Sequence, residues 1–252
     1  MHLKGSIKRR EDKRFLTGRG EYLDDIFFDE EYCAVFVRSP HPHAKIKTIK
    51  TGAVSSVPGV VAVLSAEDIE NDGLKSMSPF IKSNPNTTEP FNFIPQPLLA
   101  KKFVRYVGEP ILLVLAESVN AALDAVQLIQ IDYDVLPFVL SAQEALKDDS
   151  PIVAEELGTN SCLNWHCSSN ENIEVIFAKA KYVIELDINN NRMVGNPLEP
   201  RGAIAFWDQN TNKYTIYASS QNIHVIRDTV AYMLNVDRNS VRFKAFDVGG
   251  GF

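Results

Sequence analysis

The pattern of apolar and polar positions in the first half of the chain predicts several β-strands and one amphipathic helix. Residues 32–39 (YCAVFVRS) are apolar and rich in β-branched and aromatic side chains, which is typical of a buried strand. Residues 44–51 (AKIKTIKT) alternate apolar and basic positions. The very apolar residues 110–116 predict a further strand, and apolar residues at helical spacing in 121–129 predict a helix before the alternating segment IQIDYDV. This strand–helix–strand order with short links predicts a mixed α/β domain.

Between the strands predicted at 44–51 and 110–116, the sequence contains a group of short elements and then a long polar stretch. The sequence VSSVPGVVAVLSAEDI predicts a short helix, a Pro-Gly turn, a strand and a second helix capped by Ser65. Residues 71–97 are rich in Pro, Asn, Ser and Thr and show no period. They therefore predict a long surface loop or insertion.

A second unit is predicted from about residue 160 onward. Its sequence predicts, in order, a helix, two strands, a turn, a strand, a helix and a last strand. The clearest feature is a β-hairpin, in which QNTN joins AIAFWD to KYTIYAS. The segment QNIHVIRDTVAYMLN predicts a helix, and VRFKAFDV predicts a strand that leads into three glycines. One side of that helix is apolar: Ile223, Ile226, Val230 and Leu234.

Composition narrows the class of protein. With 252 residues, 45% of them hydrophobic, the chain suits one large or two medium domains with a sizeable core. A net charge of −6 gives no basic field for nucleic acid, and the basic cluster at residues 8–14 is interpreted as a solvated N-terminal segment. No signal peptide is visible, and the longest apolar run, 110–116, is too short to cross a bilayer. We therefore expect a cytoplasmic protein without a membrane span.

Residues that bind metals are sparse in the sequence. Cys33, Cys162 and Cys167 lack the C-x-x-C spacing of zinc and iron–sulfur sites, and we interpret them as reduced thiols. His41 and His43 are two residues apart with no third ligand nearby, so we interpret them as loop histidines.

Glu199 is a candidate functional carboxylate. It lies between two prolines in GNPLEPRGAIAF, which fix the backbone on either side of it. Two interpretations stay open from the sequence. Glu199 is either a placed functional group or part of a rigid turn in which it pairs with Arg201.

Gln221 and the glycines at 249–251 are candidate ligand-binding groups. Gln221 lies at a strand-to-helix junction, where free backbone N–H groups favour an anionic or oxo ligand. The alternative is that Ser219 or Ser220 only caps the helix. The sequence FDVGGGF at 246–252 either offers its N–H groups as a ligand nest or is a dispensable tail. It is not a G-x-G-x-x-G motif, and no helix follows it, so a dinucleotide fold is not indicated.

Eight segments, taken in order, resemble one family. They are IKRREDKRFLTGRGEYLDDI, FVRSPHPHAKI, VPGVVAVLSAEDI, RYVGEPILLVLAES, IDYDVLP, NPLEPRGAIAFWD, ASSQNIHVIRDTVAYML and VRFKAFDVGGGF. They resemble the start of the large subunit of molybdenum hydroxylases, the group of xanthine dehydrogenase, aldehyde oxidase and carbon monoxide dehydrogenase. The opening segment is most similar to the three-subunit, carbon monoxide dehydrogenase-like branch. The resemblance covers nearly the whole chain, except the insertion rich in Pro and Asn.

The resemblance implies a mixed α+β and α/β fold with two domains. Residues 1–16 would be an N-terminal segment, and residues 17–135 would form an α/β-hammerhead domain. A linker at 136–158 would lead to the incomplete start of a molybdopterin-binding domain at 159–252.

The resemblance also implies a cofactor site. Gln221 matches a family glutamine near an oxo ligand of molybdenum. Gly249, Gly250 and Gly251 match a loop that lies against the molybdenum and its pterin dithiolene, and Phe252 matches a residue that shapes the substrate pocket. No residue of this chain would ligate the metal directly. Two further residues match a family signature near the active-site region without an assigned step: Glu199 and Arg201.

The implied reaction is the hydroxylation of aldehydes or N-heterocycles, or the oxidation of carbon monoxide, with water as the oxygen source. Electrons would leave through FAD on a medium subunit and 2Fe-2S clusters on a small subunit. The general-base glutamate is expected beyond residue 252, so the chain would contain no catalytic residue and would be inactive without the remainder of the large subunit. The alternatives are a non-catalytic binding or assembly module from a split or truncated gene, and a nucleotide-binding domain that uses the glycine loop.

Overall fold

The structure is a computed structural model that describes residues 9–79, 91–163 and 172–251. Tyr32–Met193 form the first of its two units, and Met1–Glu31 join Val194–Phe252 in the second. Each unit has its own strands and its own buried apolar cluster. The two ends of the chain therefore belong to the same unit.

Short helices are interspersed among the strands along the chain. The helices are α1 (Asp12–Leu16), α2 (Ala66–Asn71), α3 (Val119–Leu128), α4 (Ala142–Ala145), α5 (Ile173–Lys179) and α6 (Ile223–Met233). The strands are β1 (Cys33–Arg38), β2 (Ala44–Lys50), β3 (Val60–Leu64), β4 (Phe103–Val104), β5 (Pro110–Ala116), β6 (Gln130–Val135), β7 (Ala203–Asp208), β8 (Lys213–Ala218) and β9 (Val241–Lys244). Short 3₁₀ turns lie at Leu23–Asp25, Val54–Ser56, Glu155–Leu157 and Arg238–Ser240.

The first unit contains two antiparallel sheets of three strands each. Their strand orders are β1-β5-β3 and β4-β2-β6. The strands predicted at 32–39, 44–51 and 110–116 and the helix predicted in 121–129 are confirmed, with bounds that agree or differ by at most two residues. The short helix, the strand and the helix after Ser65 are confirmed as well.

Strand β5 supplies the centre of the first unit's core. It lies between β1 and β3, and Ile111, Val114 and Ala116 are completely buried in it. Helix α3 packs Ala122 and Ala125 into the same cluster. This explains why 110–116 is apolar throughout rather than alternating, since a central strand covered on both faces has no solvated side.

The second unit is built on one three-stranded sheet. Strands β7 and β8 form the predicted hairpin, with Ala203 opposite Ala218 and Asp208 opposite Lys213. Helix α6 then crosses back, and β9 pairs in parallel with β8. The apolar side of α6 packs on the sheet in a cluster that includes Ile216, Ala231, Val241, Val230 and Leu234.

Two strand predictions for the second half of the chain are wrong: one strand is absent, and another is shorter than expected. The strand expected between α5 and the hairpin is absent, because residues 180–201 contain neither helix nor strand. Its apolar side chains alternate as in a strand, yet Ile184 is 90% exposed, and no strand within the described residues pairs with it. Alternation predicts a strand only where a neighbour can accept its backbone hydrogen bonds. The last strand ends at Lys244, so residues 245–251 lead away from the sheet.

Several smaller predictions can also be compared with the structure. Of the loop predicted at 71–97, residues 80–90 lie outside the described part, and its flanks are joined by backbone pairing of Met77 with Gln96. Cys33 and Cys162 are free thiols, whereas Cys167 lies outside the described residues. Within the described ranges, no three His, Cys, Asp or Glu residues are grouped to hold a metal ion. No helix there is long and apolar enough to cross a membrane.

The β5 core yields a stability prediction. Replacing the fully buried Ile111 by alanine should lower the free energy of unfolding by about 3 kcal/mol, because it leaves a cavity in the core cluster of the first unit. Urea denaturation monitored by circular dichroism measures the change. The control is Val119→Ala at a half-exposed position of α3, which should change the free energy by less than about 1 kcal/mol. Equal losses in both variants would contradict this description of the core.

Candidate functional site

Glu199 accepts hydrogen bonds from three separate parts of the second unit. Its Oε1 accepts the backbone N–H of Leu23 at 3.1 Å. Its Oε2 accepts the Ser219 hydroxyl at 2.7 Å and the backbone N–H of Gly249 at 2.6 Å. The local pairing with Arg201 that the sequence left open is wrong, since Arg201 is exposed and forms no ion pair within the described residues. Glu199 is a placed carboxylate.

The same hydrogen bonds determine the charge of Glu199. Partial burial raises the pKa of its carboxyl group, but the hydrogen bonds from Gly249, Ser219 and Leu23 lower it by more. The net effect is a pKa below the ordinary value of 4.5. Glu199 is therefore an ionised acceptor at neutral pH.

Asp247 anchors the same loop two residues before the first glycine. Arg14 donates to both carboxylate oxygens, with Nη2 at 2.6 Å from Oδ1 and Nη1 against Oδ2. The backbone N–H of Glu21 donates to Oδ2 at 2.8 Å, and the N–H of Asp247 donates to the Glu21 carbonyl at 3.0 Å. The hydrogen bond from Arg14 is the largest cause of a lowered pKa at Asp247. The basic cluster at 8–14 is thus more than a solvated segment, because Arg14 is half-buried in a bidentate ion pair.

Aromatic side chains attach the N-terminal segment to the sheet of the second unit. The ring of Phe28 lies 5.9 Å from that of Phe206 and 5.4 Å from that of Tyr217, between ring centroids. Tyr217 stacks in turn on Phe246, at 5.6 Å and 12° between ring planes. Phe246 directly precedes Asp247, so the aromatic cluster extends to the start of the glycine loop.

The glycines at 249–251 pack closely against Glu199 and Gln221. A Cβ added to Gly249 would overlap the Cβ of Glu199, and one added to Gly251 would overlap the side-chain amide of Gln221. Gly250 has a φ of 148°, a conformation that L side chains rarely adopt. The structure therefore places Gln221 and the glycine loop side by side, whereas Phe252 lies outside the described residues.

The start of α6 leaves Gln221 uncommitted. The helix is capped by Asn222, whose side chain accepts the N–H of Val225, so the suggested caps Ser219 and Ser220 are wrong. Ser219 donates to Glu199, and Ser220 accepts the N–H of Asn222. Because Asn222 caps the helix, Gln221 is free to face the glycines.

An open cavity of about 840 Å³ lies over these residues. Its lining brings together Glu199, Arg201, Gln221, Gly250 and Gly251. In the part of the chain that the structure describes, the amides of Gly250 and Gly251 and the side-chain amide of Gln221 form no hydrogen bond. The cavity thus presents unpaired N–H donors, which suit an anionic ligand or one rich in oxygen acceptors.

Sequence reasoning missed three partners in this arrangement. Leu23, Arg14 and Asp247 received no functional assignment, because Leu23 lies 176 positions from Glu199 and Arg14 lies 233 positions from Asp247. The one local signal was the acidic residue two positions before the first glycine. Ser219 was considered only as a helix cap, although a hydroxyl two residues before Gln221 is also within reach of the loop.

Two family models match the chain. Residues 17–137 match the model described as aldehyde oxidase and xanthine dehydrogenase, a/b hammerhead domain. Residues 153–252 match the model described as molybdopterin cofactor-binding domain. Together the two models cover most of the sequence.

Three similar proteins align with nearly the whole of this chain. The chain is 34% identical to the nicotine 6-hydroxylase large subunit of Paenarthrobacter nicotinovorans over 98% of its own length and 29% of that protein. It is 30% identical to the carbon monoxide dehydrogenase large chain of Afipia carboxidovorans, over 97% and 30% of the two chains. Quinoline 2-oxidoreductase from Pseudomonas putida 86 superimposes with a TM-score of 0.86 at 31% identity, over 98% and 30%. The chain therefore spans about 30% of the length of these relatives.

The contact between Gly251 and Gln221 yields a structural prediction. Gly251→Ala should displace the Gln221 side chain, because the added methyl group occupies the position of its amide. The stability cost should be small, about 1 kcal/mol, since a flexible side chain can move aside. A crystal structure of the variant, or the NMR resonance of the Gln221 side-chain amide, reports the displacement. Gly52→Ala is the control, because a Cβ there meets no atom within 4 Å; an unmoved Gln221 in G251A would contradict the prediction.

The ion pair of Asp247 yields a pH prediction. Its folded-state pKa lies below the ordinary value of 3.8, so the pairing with Arg14 stabilises the fold fully above about pH 5 and is lost as the pH falls through the folded pKa. The amide resonance of Glu21, which donates to Asp247, should therefore titrate with a midpoint below 3.8. Arg14→Gln should raise this midpoint toward 3.8. Arg9→Gln, at an exposed ion pair with Asp12, is the control and should leave the midpoint unchanged. A midpoint that is the same in R14Q as in the wild type would refute the assignment.

Proposed function

Because the chain belongs to the family of molybdenum hydroxylase large subunits, we propose that Gln221 and Gly249–Gly251 hold part of a molybdopterin cofactor. The observation that carries the proposal is the set of unpaired N–H donors of Gln221, Gly250 and Gly251 on one cavity. The domain bounds 17–135 and 159–252 belong to the same proposal.

The residues present fit this cofactor. Its oxo, dithiolene and phosphate groups are acceptors or anions, and the cavity offers N–H donors and the Arg201 guanidinium. The absence of side chains lets the loop pack against Glu199 and Gln221, because a Cβ at Gly249 or Gly251 would collide with one of them. Glycines also let the backbone come close to a ligand. When bound, the cofactor supplies the two-electron redox centre of the reaction.

In the proposed reaction, the residues of this chain would bind and orient the cofactor. Gln221 donates its side-chain amide N–H to an oxygen acceptor, and the loop amides at 250 and 251 donate beside it. Glu199 accepts three hydrogen bonds, and its pKa is lowered, so its carboxylate holds these donors. We assign no catalytic step to Glu199 or Arg201.

The whole protein in which this chain acts is proposed to hydroxylate an aldehyde or an N-heterocycle, or to oxidise carbon monoxide, using water. Support comes from the relatives, whose names refer to nicotine, quinoline and carbon monoxide. Partner subunits carrying FAD and 2Fe-2S clusters, together with the remainder of the large subunit, complete the proposal. The names "large subunit" and "large chain" of the relatives support such an assembly.

Gln221 provides the test of this proposal. In the complex that contains the chain, Gln221→Ala should weaken cofactor retention about tenfold, because one hydrogen bond to a charged or strongly polar acceptor is lost. Molybdenum per protein by elemental analysis and released pterin by fluorescence measure retention after gel filtration. Gln209→Ala, at an exposed glutamine in the hairpin turn, is the control. Full molybdenum content in Q221A would overturn the assignment of Gln221 to the cofactor site. A wild-type complex without molybdenum would overturn the proposed function and favour a non-catalytic assembly module.

A further inference from the structure

The N-terminal segment reaches the glycine loop at two carboxylates. Leu23 donates its N–H to Glu199, which also accepts from Gly249. Arg14 and Glu21 hold Asp247, two residues earlier in the loop. The loop is therefore fixed at Asp247 and at Gly249, just before the N–H donors of Gly250 and Gly251.

We propose that Glu199 is a positioning residue that, together with residues 14–23, holds the glycine loop against Gln221. The identity of the ligand rests on the function proposed above, whereas the effect of Glu199 on the loop is independent of that function. Residues 14–23 thereby become part of the cofactor site although they lie more than 170 positions before it in sequence.

The geometry at Glu199 requires a carboxylate. Oε2 accepts two donors and Oε1 accepts one, so donors face both oxygens. A glutamine at this position would direct its NH₂ group either at Leu23 or at Ser219 and Gly249, and in each orientation a donor would face a donor. An aspartate would keep the charge but withdraw the acceptor by one methylene.

Close packing makes Glu199 and Gly249 depend on each other. The 2.6 Å hydrogen bond brings the loop so near that a Cβ on Gly249 would overlap the Cβ of Glu199. Gly251 follows by two residues, a span of at most about 7 Å. A loop fixed at Gly249 therefore leaves Gly251 little freedom away from Gln221.

An acid–base or metal-binding role does not suit this carboxylate. All three of its contacts are N–H or O–H donors, and together they outweigh the desolvation that would raise its pKa. If the Glu199 carboxylate had to release these donors in order to react, it would also break its hydrogen bond to Gly249 in the loop. Holding the loop is the role that matches the contacts.

The test compares Glu199→Gln with Asp208→Asn. Asp208 is a matched control, because its carboxylate accepts from Asn210 and Thr211 in the same unit and has a lowered pKa, but it does not contact the loop. Hydrogen–deuterium exchange by mass spectrometry follows the peptide covering residues 245–251 in the complex. We expect E199Q to raise the exchange of this peptide about tenfold and D208N to leave it unchanged.

Cofactor retention is the second readout of the same variants. E199Q should lose molybdenum about tenfold faster on dialysis, and D208N should match the wild type. Ser219→Ala, which removes one donor from Oε2, should give a smaller change in both readouts and serves if E199Q does not fold. The urea midpoint is measured alongside to detect a general loss of stability. A merely structural role of Glu199 would lower this midpoint and raise exchange throughout the second unit, not only at residues 245–251.

The outcomes distinguish the two proposals. Faster exchange at 245–251 with unchanged molybdenum supports the positioning role and overturns the cofactor function proposed for this loop. Unchanged exchange in both E199Q and S219A overturns the positioning role, and if Q221A still loses molybdenum, the cofactor function stands. Faster exchange across the whole unit also overturns the inference, because Glu199 would then act on the fold in general.

Discussion

The three hydrogen bonds accepted by the carboxylate of Glu199 are the interaction on which the site of the second unit depends. They join the N-terminal segment, the end of β8 and the glycine loop at a single group. An ionised carboxylate accepts such bonds more strongly than a neutral acceptor, and each bond in turn favours its ionised form. Without it, the N–H groups of Leu23 and Gly249 would lose their acceptor in a partly buried place, where an unpaired donor costs about 1–3 kcal/mol.

The elements around this carboxylate restrict the positions of Glu199, of its partners and of the loop. Pro197 and Pro200 limit the backbone on either side, and the hairpin register carries Ser219 to the end of β8. The ion pair of Arg14 with Asp247 fixes the approach to the loop, and Phe28 secures the N-terminal segment on the sheet. The site is thus preorganised by contacts that involve neither Gln221 nor the free loop amides, which remain available to a ligand.

The sequence allowed the local features to be predicted and left the distant contacts hidden. The β7–β8 hairpin and α6 follow from turn residues and periodicity within about 15 positions, so they could be predicted. Glu199 could be recognised as a fixed group from its two prolines, but not its partners, because no local pattern encodes a contact across 176 positions. The cap of α6 was misassigned because Ser219 and Asn222 both suit that position, and only the tertiary contact with Glu199 decides between them. The strand expected after residue 180 shows the same limit, since its residues alternate but no strand in the described part of the chain pairs with them.

The way the chain closes the second unit has a consequence for folding. Residues 9–31 are synthesised first, yet their partners Glu199 and Asp247 follow only after the whole of Tyr32–Met193. Closing a loop of this length costs only slightly more entropy than closing a short one, but contacts of such high sequence separation form slowly. During synthesis the first unit can therefore fold as a local domain while the N-terminal segment waits without its acceptors. The contacts that hold the glycine loop can form only after residues 199–249 have been synthesised, so the proposed ligand site cannot exist before translation has passed through the loop.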